Sequence, residues 1–189
     1  LANALDTERE DPRVIERYGY KQGGRYGSNN RFLLARRLLD VGVRCVTLSW
    51  GGWDTHGNNF QSMRDQLPAL DVGLSALLED LDSRGMLDET IIMMSGEFGR
   101  TPRINSGAGR DHWPRSAFFF LGGGGFRNGQ VIGATNRLGE VPHDRPVSLQ
   151  NVFATVYRQL GIDLETTLID PNGRPQYLLD HREIINELV

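Results

Sequence analysis

Seven apolar residues, Phe60, Met63, Leu67, Leu70, Leu74, Leu77 and Leu81, recur at alternating steps of three and four. That period lines them along one stripe of a helix, so the spacing predicts a long amphipathic helix, kinked or restarted at Pro68. Two β-branched apolar runs flank it, residues 43–50 and 91–94, and both read as buried strands. A third apolar run covers 117–121, and residues 131–134 read as an edge strand or hairpin arm. Ser28 or Asn29 is placed to cap an earlier helix carrying Phe32, Leu34, Ala35, Leu38 and Leu39, with Gly42 as its stop. Ser148 opens a later one with Leu149, Val152, Phe153, Val156 and Leu160 inward and Gly161 as its stop. Short helices are predicted around 12–18 and from about Asp180, and a turn at 170–173. Alternation of this kind predicts an α/β protein whose mostly parallel sheet is covered by helices on both faces. In such sheets the functional crevice lies outside the carboxyl ends of the strands.

The 189 residues fit one domain, with a polar segment at 1–27 and a tail at 162–189. Charged residues at 24% and a hydrophobic share of 39% exclude a disordered chain, and no apolar run is long enough for a membrane span. A formal charge of -3 lacks the basic excess of a nucleic-acid partner. Lys21 is the single lysine against 20 arginines, a bias that a GC-rich genome accounts for, although arginine also suits bidentate contacts to phosphate or sulfate. Cys45 stands alone, so neither a disulfide framework nor a thiolate metal cluster is expected. Leu1–Glu10 has neither the basic nor the apolar region of a signal peptide, and a start at Leu1 reads as a cut.

Three polar clusters adjoin the apolar runs: Trp53-Asp54-Thr55-His56, Glu97-Phe98-Gly99-Arg100 and Arg110-Asp111-His112-Trp113. Carboxylate and imidazole are the ligands that Zn and Mn share, and an all-oxygen Ca site suits imidazole less. Asp54, His56, Glu97 and His112 converging on one crevice would form the first shell of a divalent metal ion, Zn, Mn or Ca. Arg100, Arg103 and Arg110 would surround a metal-bound anion. Each cluster also has a structural reading. Asp54 can cap a turn, Glu97 and Arg100 can form a loop salt bridge, and His112 can be a satisfied, partly buried histidine. Gly122–Gly125 matches no phosphate-cradle motif and reads as a flexible turn. His143-Asp144 reads as surface loop and His181 as solvated. No Gly-x-Ser-x-Gly elbow is present.

The motifs Trp-Gly-Gly-Trp-Asp-Thr-His-Gly (50–57), Gly-Glu-Phe-Gly-Arg-Thr-Pro (96–102) and Gly-Arg-Asp-His-Trp-Pro (109–114) resemble the bacterial family called "domain of unknown function 1501". The resemblance extends over essentially the whole chain, including Val131-Ile132-Gly133-Ala134-Thr135 and Asp144-Arg145-Pro146-Val147-Ser148. It implies membership of the alkaline phosphatase and sulfatase superfamily, an alkaline-phosphatase-like fold, and correspondence to the C-terminal part of longer relatives. The superfamily implies two divalent metals clamping a phosphate or sulfate ester while a Ser, Thr or modified Cys attacks in line. By position, Asp54 and His56 resemble its first Asp and His pair, Glu97 its second acidic ligand and His112 its final histidine, with Arg100 or Arg110 orienting the ester oxygens. The nucleophile is expected in the N-terminal half of those longer relatives, outside these 189 residues. Two features depart from the pattern: Asp54 and His56 are separated by one residue instead of three, and Phe98 stands where a histidine is expected.

The expected function is therefore metal-dependent hydrolysis of an anionic ester, with a sulfated or phosphorylated carbohydrate as the partner. The alternative is a catalytically inactive secreted module that binds polysaccharide or self-associates. A third reading has Asp54, His56 and His112 only tying strand ends together. Many relatives carry a twin-arginine signal, which implies a periplasmic or extracellular location.

Overall fold

The computed structural model of the chain describes residues 1–19 and 29–189. They form two compact units, one within 1–86 and 103–111, the other from 87–102 and 112–189, which together hold both helices and strands.

The first unit is helical. It contains α1 (Ala2–Leu5), α2 (Pro12–Arg17), α3 (Asn30–Asp40) and α4 (Asn59–Ser83). Proline opens α2, where its missing N–H costs nothing, and the Asp11 carboxylate accepts from the Arg13 N–H at 2.8 Å. Asn29 precedes α3 but its side chain makes no capping bond. Ser28, the other predicted cap, lies outside the described residues. The 25-residue α4 runs through Pro68 as one helix.

The inner face of α4 differs from the predicted stripe. Leu77 and Leu81 are buried, yet Phe60 and Leu67 are 50% and 48% exposed. Gln66, Ala69, Gly73, Ala76 and Asp80 are buried instead. Its packing partner α3 explains the choice. The Phe32 ring lies 2.4 Å from where a Cβ on Gly73 would stand, so that face of α4 must be small. One turn further along α3 the buried Arg36 guanidinium requires an anion, which Asp80 supplies.

Residues 43–50 form no strand. They are mostly exposed and run beside the helices, where Phe32 and Trp50 meet at 5.5 Å between ring centroids. β-branched residues favour a ladder only where a free strand edge is available to them.

The second unit carries β1 (Ile91–Ser95), β2 (Gly99–Arg100), β3 (His112–Trp113), β4 (Phe119–Gly123), β5 (Ala134–Thr135), β6 (Pro142–Asp144), α5 (Leu149–Gln159), β7 (Thr167–Ile169) and β8 (Pro175–Tyr177). The pairs are β1 with β4, β2 with β3, β5 with β6 and β7 with β8, each antiparallel and two-stranded. The sequence predicts a mostly parallel sheet, and no parallel pairing occurs among the described residues. A parallel return needs a crossover, usually a helix, and residues 96–118 form none, so β4 comes back along β1 in the opposite sense. Its register runs from Ile91↔Gly123 to Ser95↔Phe119.

Phe126, Val152, Ile185 and Leu188 form the core of this unit, with Ile91, Phe119, Leu121 and Val147 against them. Ser148 caps α5 as predicted, in a capping box with Asn151. Val152 is inward as predicted, whereas Leu149 and Leu160 are exposed. The predicted helix from Asp180 is absent. Side chains of α5 satisfy that stretch instead: Gln150 accepts from the His181 N–H at 2.5 Å, Asn151 donates to the Glu183 carbonyl at 2.8 Å, and Thr155 accepts from the Ile185 N–H at 2.9 Å. The glycine run at 122–125 is a packing turn. A Cβ on Gly123, whose φ is +63°, would stand 2.3 Å from the Thr90 carbonyl oxygen.

Candidate functional site

In the first unit a tight turn centres on Asp54, with the Thr55 N–H donating to the Trp53 carbonyl at 2.9 Å. The turn faces inward at Thr55, which is buried and whose hydroxyl donates to Asn59 Oδ1 at 2.5 Å. Asp54 and His56, on either side of it, are exposed, and Asp54 Oδ1 meets His56 Nε2 at 2.9 Å. One intervening residue suffices because the turn folds the two side chains onto each other.

The other ring nitrogen of His56 is also engaged. His56 Nδ1 lies 2.7 Å from Asp111 Oδ1. Asp111 is fixed in turn by Asn105, whose Nδ2 donates to both carboxylate oxygens at 3.1 and 3.3 Å and to the His56 carbonyl at 3.0 Å. Asn105 Oδ1 accepts from the Gly107 and Gly109 N–H groups at 3.0 and 2.9 Å. Residues 105–111 are thereby laced to the turn, with the Arg110 N–H on the Thr55 carbonyl and the Asn58 and Asn59 N–H groups on the Gly107 and Ala108 carbonyls, all at 2.9 Å. The last two bonds satisfy donors at the start of α4 that have no partner within the helix. Gly109 is buried where a Cβ would stand 2.0 Å from the His56 carbonyl carbon, so only glycine lets the two segments approach this closely.

Glu97, Arg100 and His112 belong to the second unit. The β2–β3 ladder sets Arg100 opposite His112. The Phe98 ring packs on the His112 ring at 4.5 Å between centroids, and the Arg100 guanidinium lies 5.5 Å from the Phe98 ring centre. Phe98, at the position where the resemblance expects a histidine, is thus the platform of this cluster. Arg100 Nη2 also meets Glu97 Oε1 at 3.4 Å, so the predicted loop salt bridge is present, although Glu97 is largely exposed and the pair stabilises by no more than about 1 kcal/mol. His112 is exposed rather than buried.

The structure therefore brings Asp54 and His56 together in one unit, where the Arg110 backbone also docks, and joins Arg100 to Glu97 and Phe98 in the other. Arg103 belongs to the first unit and is exposed. Asp111 and Asn105 escaped the sequence reading. Asp111 sits inside a motif whose chemistry was assigned to its neighbours, and Asn105 followed by Gly107 and Gly109 is the pattern of a side chain that caps its own turn.

A family profile described as "Protein of unknown function (DUF1501)" matches residues 1–189. The chain belongs to the DUF1501 family. Searches of the curated proteins and of the solved structures each return no match. Within a DUF1501 chain, then, the chemistry available at the first-unit site is that of its donors: one carboxylate oxygen and one imidazole nitrogen held side by side, with a second carboxylate behind the ring.

Proposed function

We propose that this chain carries a divalent metal site nucleated by Asp54 and His56, and that it serves metal-dependent hydrolysis of sulfate or phosphate esters. The observation that carries the reading is the Asp54–His56 pair itself. Two ligand atoms each about 2.1 Å from one ion, at a ligand angle of roughly 90 to 110°, stand about 3.0 to 3.4 Å apart. The observed separation of 2.9 Å needs almost no opening to admit the ion. Oxygen and imidazole nitrogen together suit Zn or Mn. A bound metal would act as a Lewis acid on an ester oxygen and lower the pKa of a bound water or alkoxide. The residues of the chain do the rest. Asp54 and His56 hold the ion, and the guanidinium groups of Arg110 and Arg100 are suited to bidentate contact with ester oxygens.

The ester class, the alkaline phosphatase and sulfatase superfamily and its fold, a nucleophile in the N-terminal half of longer relatives, further ligation by Glu97 and His112, and export to the periplasm or beyond are all carried over from the motif resemblance. The DUF1501 match supports the family resemblance itself, and the carboxylate and imidazole donors support the metal. No described helix is long and apolar enough to cross a membrane. Phe98 favours a second reading at one point: a phenyl ring replaces a donor, so a binding module that retains one metal without turnover also fits.

Calorimetric titration of chelator-treated protein with Zn²⁺ and Mn²⁺ tests the site. Stoichiometric binding lost in both D54A and H56A is expected, and wild-type protein that takes up neither ion overturns the proposal. E97Q and H112A, titrated alongside, decide whether those positions share in ligation. Release of sulfate or phosphate from aryl esters by the full-length protein separates the hydrolase from the binding module.

A further inference from the structure

We infer that Asp111, itself held by Asn105, is the positioning residue that makes His56 a metal ligand; this rests on the metal-site reading above. An imidazole nitrogen binds a metal only with its lone pair free of a proton, so a neutral ring must carry its single proton on the other nitrogen. Asp111 Oδ1 lies 2.7 Å from His56 Nδ1, while Asp54 Oδ1 lies 2.9 Å from Nε2. The two carboxylates therefore flank opposite edges of the ring. Asp111 cannot share an ion seated between Asp54 and Nε2. What it can do is accept the Nδ1–H, select the tautomer whose Nε2 lone pair points toward Asp54, and raise the basicity of that nitrogen.

The support behind Asp111 is specific to this task. A lone surface carboxylate would be free to rotate away from the ring. Here the Asn105 amide donates to both carboxylate oxygens and to the carbonyl of His56 itself, so carboxylate and histidine backbone are referred to one side chain. That side chain is anchored by the Gly107 and Gly109 N–H groups on its oxygen. All five bonds lie within a single unit. The sequence order Asn105 to Asp111 thus encodes a turn that closes on itself and presents its last residue to His56.

The test is a competition titration of Zn²⁺ against a chromophoric chelator on wild-type protein, D111A, D111N and N105A, with metal-free thermal denaturation run in parallel. Wild-type protein is expected to bind one ion. D111A is expected to weaken Zn²⁺ binding by about 10- to 100-fold, the range for lost carboxylate support of a ligand histidine. D111N retains an oxygen that accepts the Nδ1–H and is expected to recover most of that loss, with the metal-free midpoints showing that each variant is folded at the titration temperature. Unchanged affinity in D111A overturns the inference and leaves the metal site standing. Complete loss of binding in D111A, D111N and D54A alike also overturns it, because Asp111 would then be a ligand. Wild-type protein that binds no metal removes the reading beneath it. N105A reads the support behind Asp111: affinity between those of wild type and D111A is expected, and affinity equal to wild type removes Asn105 from the relay.

Discussion

Asp80 of α4 and Arg36 of α3 face each other inside the first unit, Oδ2 to Nε at 3.0 Å, with each side chain only 3% exposed. The approach is that of an ion pair; the Nε–H does not align as a hydrogen bond. Around it, Tyr18 OH donates to Asp80 Oδ2 at 3.0 Å, Arg84 and Arg17 reach Asp80 Oδ1 at 2.8 and 3.1 Å, and Arg36 also pairs with Glu10 and Asp40. Removing one partner leaves buried charge uncompensated, which costs more than the pair's net contribution. D80A is therefore expected to destabilise the first unit by about 3 kcal/mol, the low end of the range for such breaks because Glu10 and Asp40 still face Arg36. Urea denaturation of wild type and D80A checks it, and an unchanged midpoint in D80A would remove the buried pair from the account.

The same network sets a pH dependence. Burial pushes the Asp80 carboxyl up, but the hydrogen bonds from Arg84 and Tyr18 and the charges of Arg36 and Arg84 outweigh it and hold the group below its ordinary value. Glu10 behaves alike, its burial outweighed by Arg36 and Arg37. A carboxyl depressed in the folded state contributes stability that is complete above its unfolded pKa of about 4 and disappears as pH falls through the folded value. Stability of the first unit should be flat from neutral pH down to about 5 and decline below about 4. D80N should flatten that acid limb in a series of denaturation curves, and a variant as acid-sensitive as wild type would remove Asp80 from the account.

Metal uptake predicts a linked pair of changes. An ion that binds only the folded state stabilises by about 2.7 kcal/mol at 100 times its Kd. Zn²⁺ at that ratio should raise the midpoint of the first unit by several degrees, and EDTA should reverse the rise. Ligand groups must shed protons to bind, so the gain should shrink as pH is lowered. D54A and H56A should show no Zn²⁺-dependent rise at any pH, and a rise retained in either would place the ion elsewhere.

How much of this was legible in the sequence varies from residue to residue, for physical reasons. Ser148 and Asn151 declare the start of α5 because a cap is a local contract between neighbours. The α4 helix was legible from its period, but not its inner face: burial of Gly73 and Asp80 is decided by Phe32 and Arg36 of another helix. Residues 43–50 read as a strand because β-branched composition records a preference and not the presence of a partner edge. The antiparallel return of β4 depends on what residues 96–118 fail to form, which no motif announces. At the site, Asp54 and His56 were legible as ligand types, and their contact was not, since it hangs on a turn at Asp54. Asn105 and Asp111 were hidden because a positioning residue has no chemistry of its own to advertise.

The closest test of the site's architecture lies in its glycine. A Cβ on Gly109 would stand 2.0 Å from the His56 carbonyl carbon and 2.4 Å from the Gly57 nitrogen, all of them backbone atoms that cannot swing aside. G109A must therefore push residues 105–111 away from residues 55–59. The displacement would break the Arg110-to-Thr55 bond and pull Asp111 off His56 Nδ1. Gly51 gives the matched control, for a Cβ there meets nothing within 4 Å. G51A should bind Zn²⁺ as wild type does and be equally or slightly more stable, since alanine narrows the unfolded ensemble. G109A should lower the melting midpoint by several degrees and weaken Zn²⁺ at least as much as D111A. Both substitutions add one methyl group to the same unit, so a difference between them isolates the close approach of the two segments as the cause. Equal behaviour of G109A and G51A would mean that the approach at Gly109 does not set the position of His56.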